Sequence, residues 1–187
     1  MNGQPKRPPL RQRGFTIMEL VLVVLIVAIL ATVAIPSYLS VTNSYRISSE
    51  VNSLLGDMQY ARAEAIKEGQ TVTVCVSSSG TGCTGGTSWQ NGWIVFSDVA
   101  NNQTYAAATD ALLRVQVPFT STDTFVANNA FTAITFNREG FAQTFAGTNN
   151  VTVTLHAVKP TTASTRCLQI TPVGMLATEL AGAGSCS

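Results

Sequence analysis

One carboxylate stands inside the longest apolar run of this 187-residue chain. Glu19 lies near the start of an otherwise uncharged stretch from Phe15 to Ile35, and Pro36 follows it. An acidic side chain at the centre of a membrane helix costs about 2.5 to 3.5 kcal/mol, so a carboxylate in such a place calls for a cationic partner. The other residues that could do chemistry are sparse. Cys75, Cys83, Cys167 and Cys186 contain no Cys-x-x-Cys and are accompanied by a single His, His156, so no zinc set is expected. His156 follows Leu155 in a predicted strand and is expected at a surface or an edge. Outside the cytoplasm four cysteines imply two disulfides. Pairing of nearest neighbours, Cys75 with Cys83 and Cys167 with Cys186, is preferred among three connectivities, which spacing alone does not decide. Gly80, Gly82 and Gly85 fit a dinucleotide-binding pattern, but no helix opens after them and the match is treated as chance. With one His and no nucleophile motif, no Ser-His-Asp grouping forms. Asp98, Asp110 and Asp123 fall where solvated turn residues are expected. No enzymatic activity and no cofactor is expected.

Lys6, Arg7, Arg11 and Arg13 precede Gly14 with no acidic residue among them. The 21 residues from Phe15 to Ile35 suffice to cross about 30 Å of hydrocarbon, and the flanking charge predicts a cytoplasmic N-terminus. Thr32-Val33-Ala34 would also pass as a small-residue signal-peptidase site, but a Glu within the apolar core and a Pro just past the cut fit that poorly.

Gly14-Phe15-Thr16-Ile17-Met18-Glu19, with Pro36 further on, resembles the class III leader of type IV pilins and type II secretion pseudopilins. The resemblance implies a prepilin peptidase cut between Gly14 and Phe15, N-methylation of Phe15, and pairing of Glu19 with the Phe15 amine of a neighbouring subunit during assembly. Removal of the leader takes four of the eleven Lys and Arg, leaving seven against ten Asp and Glu, a net charge of −3. Such a chain has no general attraction to polyanions.

These groups need positioning elements. Val41, Tyr45, Ser48, Val51, Leu54, Leu55, Met58, Ala61 and Ala65 recur at helical steps, with Arg46, Glu50, Asp57 and Glu64 mostly on the wet back. One helix is therefore expected from Phe15 to about Glu68, roughly 80 Å at 1.5 Å per residue. It should kink at Pro36 and stop at Gly69. Beyond it, strands are expected near 71–77, 93–98, 112–117, 134–137, 151–155 and 166–171, with another near 175–178. In the first, Val72, Val74 and Val76 alternate as in a strand with one buried face. Residues 99–111 are expected to be a loop. The fold class is α+β, a long N-terminal helix packed by its amphipathic half on a C-terminal antiparallel sheet. The expected division is a leader at 1–14, an assembly helix at 15–35, an amphipathic helix at 36–68 and a periplasmic β domain at 69–187.

Tyr60 to Lys67, Gly92 to Asp98, Ile134 to Asn137 with Gly140, and Arg166 to Ile170 before Gly174 resemble the GspH/FimT family of minor pseudopilins and minor pilins. Most of these blocks are expected to be core residues, Trp89 and Trp93 included. The resemblance implies a type IV pilin-like fold and a minor pilin helping to initiate or cap a type IV pilus. Its partners would be other minor and major pilins, the prepilin peptidase and the inner membrane. One alternative is a type II secretion pseudopilin; the other, disfavoured, is a DNA-binding minor pilin in natural transformation. Some FimT members bind DNA through Gly-Arg-x-Arg, where this chain has Gly174-Met175-Leu176-Ala177, so nucleic acid is not an expected partner.

Overall fold

The structure is a computed structural model and describes residues 14–128, 131–143, 151–156, 164–184 and 186. One helix, α1, runs Ile17–Glu68 with Pro36 inside it. The chain divides into two compact units, Met1–Ser40 and Val41–Ser187.

In the second unit, α1 stops where Gly69 takes φ 68, a left-handed conformation that costs a residue without a Cβ little. The Gly69 amide donates to Ala65 O at 3.0 Å and so uses one of the carbonyls left over at the helix end. Among the described residues nine strands follow: β1 Val72–Val76, β2 Trp93–Ser97, β3 Leu112–Gln116, β4 Thr124–Ala127, β5 Ala133–Phe136, β6 Ala142–Gln143, β7 Val151–His156, β8 Arg166–Ile170 and β9 Leu176–Leu180. They form two antiparallel sheets, one in the order β3-β2-β1-β5-β6 and the other β4-β7-β8-β9. The expected single sheet is thus two. The short strands β4 and β6 were not anticipated, while residues 99–111 form a loop as expected.

Both sheets share one core with α1. Ile47, Leu54, Met58, Ala61 and Ala65 are fully buried against Val72, Val74, Trp93 and Ile134 of the first sheet and Phe125, Val153, Leu155 and Leu168 of the second. Each large aliphatic side chain so buried contributes about 1.5 to 3 kcal/mol, enough for a handful of them to set which helix face turns inward. That face differs from the expected stripe at its start. Val41 and Tyr45 are exposed, and burial begins at Ile47. Glu50, expected on the wet back, is 9% exposed.

β1 corrects another expectation, because all five of its residues are buried. Its Val72, Val74 and Val76 enter the shared core, whereas Cys75 packs with Ile94, Phe96 and Ala133 on the other face. That second face is covered rather than wet. Tyr105, from the 99–111 loop, meets Phe96 edge-on at 5.4 Å, and Cys83 closes over the strand end in a disulfide with Cys75.

The loop owes its order to two carboxylates that were expected to be solvated. Asp98 is fully buried; its oxygens accept from the Asn102 and Gln103 amides at 3.0 and 2.8 Å and from Thr73 Oγ1 at 2.8 Å. Asp110 accepts from the Ala106 and Val99 amides at 2.8 and 3.3 Å. Aspartates favour turns because they bond nearby amides, and here those amides replace water. Asp123 is buried for a different reason, its pairing with Arg46.

Where the helix end, the β5–β6 turn and the β8–β9 turn meet, Arg62 Nε donates to Gly140 O at 2.9 Å. Gly174, at φ 77, lies so close to Gly140 O and the Arg62 side chain that a Cβ has no room. Three sequence blocks far apart in the chain thereby lock one tertiary junction. Cys167 and Cys186 are joined across the C-terminal segment.

Candidate functional site

The apolar segment presents its chemistry at its first turn. Glu19 N donates to Thr16 Oγ1 at 3.3 Å, and Leu20 N to Thr16 O at 3.2 Å. Thr16 is therefore the N-cap of α1 and Glu19 its third helical residue, the Thr-x-x-Glu spacing of a capping box. That role was missed in the sequence, where the spacing was present to be seen. A carboxylate in the first turn is also favoured by the positive end of the helix dipole. The Glu19 side chain is exposed, and no ion pair reaches it among the described residues.

Beyond this turn, Leu20, Val24, Ile26, Leu30 and Ile35 are all exposed, as are the large apolar residues between them. Among the described residues, α1 is the one helix long and apolar enough to cross a membrane. The polar group of Thr32 is satisfied locally, its Oγ1 donating to Ile29 O at 2.7 Å. Pro36 has no amide proton to give to the carbonyl of Thr32 one turn back, yet the helix continues through it. A surface this apolar on every side needs lipid or other helices around it.

The remaining candidates do not gather into a reactive site. Trp89 and Trp93 are fully buried; Trp89 stacks on Phe131 at 5.7 Å, and Trp93 Nε1 donates to Asp57 Oδ2 at 2.9 Å. Neither ring is available to a nucleic-acid base. Asp57 also pairs with Arg114 at 2.9 Å, and that guanidinium lies 3.7 Å over the Tyr60 ring. His156 is half-buried on β7, which is not an edge strand, and its Nδ1 lies 3.3 Å from Thr165 Oγ1. Gly80 to Gly85 form bends and irregular chain within and beside the Cys75–Cys83 loop, and the next helical element is a three-residue 3-10 turn at Trp89–Asn91. No cluster of three His, Cys, Asp or Glu that could hold a metal exists among the described residues.

Basic side chains among the described residues are likewise engaged. Arg46, Lys67, Arg114 and Arg138 each pair with a carboxylate, and Arg62 is bonded to Gly140 O. An open groove of about 500 Å³ beside the helix end is bordered by Arg62, Ile66, Gly174, Met175 and Leu176. Clamping of successive phosphates needs several unengaged cations along one track, and this groove offers none.

Comparison with known proteins decides what kind of subunit carries such a segment. Residues 50–174 match the family described as type II transport protein GspH. The chain belongs to that family. Residues 9–35 match the prokaryotic N-terminal methylation motif, which encloses Gly14, Phe15 and Glu19. The fold is similar to the crystal structure of the type IV minor pilin FimU from Pseudomonas aeruginosa strain PAO1. In one crystal form the TM-score is 0.54 at 21% identity, over 74% of this chain and 89% of that one. A second crystal form gives 0.52 at 21%, over 72% and 91%. The chain is thus a pilin-like subunit with an apolar N-terminal helix and a C-terminal β domain.

Proposed function

We propose that the protein is a minor pilin of a type IV pilus, helping to initiate or cap the filament. The prepilin peptidase cuts between Gly14 and Phe15, and the new N-terminus at Phe15 is methylated. Residues 15–35 hold the precursor in the inner membrane and then move into a bundle of other pilin helices, so one surface serves two solvents in turn. Glu19 fixes register by meeting the Phe15 amine of an adjacent subunit, and Pro36 loosens the helix ladder beyond the apolar segment. The β domain, on the periplasmic side, contacts other minor and major pilins laterally.

The observation that carries this reading is a helix exposed and apolar on all sides with a single carboxylate in its first turn and, among the described residues, no ion pair to it. An acid costly in hydrocarbon becomes tolerable once a cation joins it in the same low dielectric. Glu19→Ala should leave the chain inserted in the inner membrane while its share in sheared filaments falls severalfold. Quantitative blotting of both fractions checks this, and unchanged incorporation would refute the mechanism.

A second reading is a type II secretion pseudopilin, favoured by the description of the matched family. The physics is shared, and mass spectrometry of co-purified subunits separates the two. Nucleic acid is not among the proposed partners, because both arginines of Gly-Arg-x-Arg are missing at 174–177.

A further inference from the structure

A second groove, of about 400 Å³, lies along α1 in the β-domain unit. Its walls include Arg46, Glu50 and Ser53 of the helix and Gln116, Thr120 and Ser121 from β3 and the chain after it. Arg46 is committed to the fully buried Asp123 through two bonds, Nε to Oδ2 at 2.7 Å and Nη2 to Oδ1 at 2.9 Å. Glu50 is left with one neutral donor, Ser121 Oγ at 2.9 Å on Oε1, while its buried Oε2 has no hydrogen-bond partner. Among the described residues no cation is bonded to the Glu50 carboxyl.

We propose that this groove is a socket for one ammonium or guanidinium side chain of a neighbouring subunit, with Glu50 as its counter-ion. That the occupant belongs to a subunit rests on the assembly reading above; the binding chemistry does not. An anion is disfavoured by the two acidic groups. A divalent cation is disfavoured because Calcium-like ions want six to eight oxygens and Arg46 already engages both oxygens of Asp123. A basic side chain needs one carboxylate and a few acceptors, and Gln116 supplies an amide oxygen on the same wall. Burial pushes the Glu50 carboxyl above the usual carboxylate range. The Ser121 hydrogen bond opposes this, the charge of Asp123 adds to it and that of Arg46 opposes it. Entry of the cation reverses the balance, and the carboxyl proton leaves to water. Occupation therefore tightens as pH rises through the Glu50 pKa.

The test uses the full chain in nanodiscs with carbon-13 label in glutamate, following the Glu50 Cδ signal against pH. n-Propylguanidinium chloride is the probe, with NaCl at the same ionic strength as control, since exposed charges are screened alike by both. The expected result is a fall of the Glu50 pKa toward the ordinary carboxylate range with the probe and none with NaCl. Identical titrations in the two salts would overturn the proposal, as would probe-induced changes at Ser121 that persist in Glu50→Gln. The same signal recorded after co-assembly with the other subunits should show Glu50 ionised at a pH where the isolated chain is protonated. A protonated Glu50 in the assembly rejects the subunit side chain as occupant, whereas failure to co-assemble rejects the assembly reading alone.

Discussion

Replacing Asp98 by Ala removes the acceptor on which the 99–110 loop is built. Three donors lose their partner: the Asn102 and Gln103 amides and the Thr73 hydroxyl. Hydrogen bonds to a charged group contribute about 1.5 to 3 kcal/mol each, so the gross loss is roughly 4.5 to 9 kcal/mol. Three offsets reduce it. The two amides lie close to solvent and regain water once the loop releases. Thr73 keeps Thr135 Oγ1 at 2.6 Å. Asn101 and Gln103, held at φ 50 and 58, relax from a left-handed conformation that costs about 1 to 2 kcal/mol per residue. The net destabilisation should be about 2 to 4 kcal/mol, and about half that for Asp98→Asn, which keeps one acceptor oxygen. Urea titration of the β-domain transition should show a lower midpoint at unchanged slope, and hydrogen exchange should show the Asn102 and Gln103 amides losing protection. An Asp98→Ala stability within about 0.5 kcal/mol of wild type, or amides that stay protected, would refute the account.

The remaining predictions concern charge and cross-linking. Glu50 has a folded-state pKa above its ordinary value of 4.5, so the folded protein holds the proton more tightly and stability falls as pH rises between the two values. Glu50→Gln removes that dependence: the two proteins should be nearly equal in stability below the window, with the variant gaining across it and holding a constant advantage above it in denaturant titrations at stepped pH. An unvarying difference would contradict the burial argument. For the Cys75–Cys83 bridge, which closes a separation of 8 residues, Cys75→Ser with Cys83→Ser should lower stability by about 2 to 3 kcal/mol by the loop-entropy model. Equal unfolding midpoints by circular dichroism would show that the unfolded chain was scarcely constrained.

The elements of the fold were legible where one residue type dominates the local choice. Gly69 marks the helix stop, the Val-rich run at 72–76 marks a strand, and the loop at 99–111 follows from its small and polar residues. Pairing was not legible. The period along β7 or β8 reports alternation of faces and says nothing of which strand lies alongside, so the separation into two sheets appears only in the register. β4 was missed because four residues, Thr124 to Ala127, sit among Thr, Ser and Asn that read as a loop. Buried acids were missed for a common reason: Asp98 and Asp123 look like solvated residues until their amide and guanidinium partners are brought up by the chain. In the apolar segment the carboxylate stood out at once, while the cap at Thr16 went unnoticed beside it.

That cap bears on where a new chain end would find itself. If the leader is removed at Gly14, only Phe15 stands between the free amine and Thr16, so the ammonium sits at the pole of α1 that already carries about half a positive charge. Like signs make that spot inhospitable within its own subunit. A chain cut there would have in its first turn a surplus cation to export and, one turn in, an acid able to receive one, an asymmetry that would favour joining of successive copies over self-neutralisation.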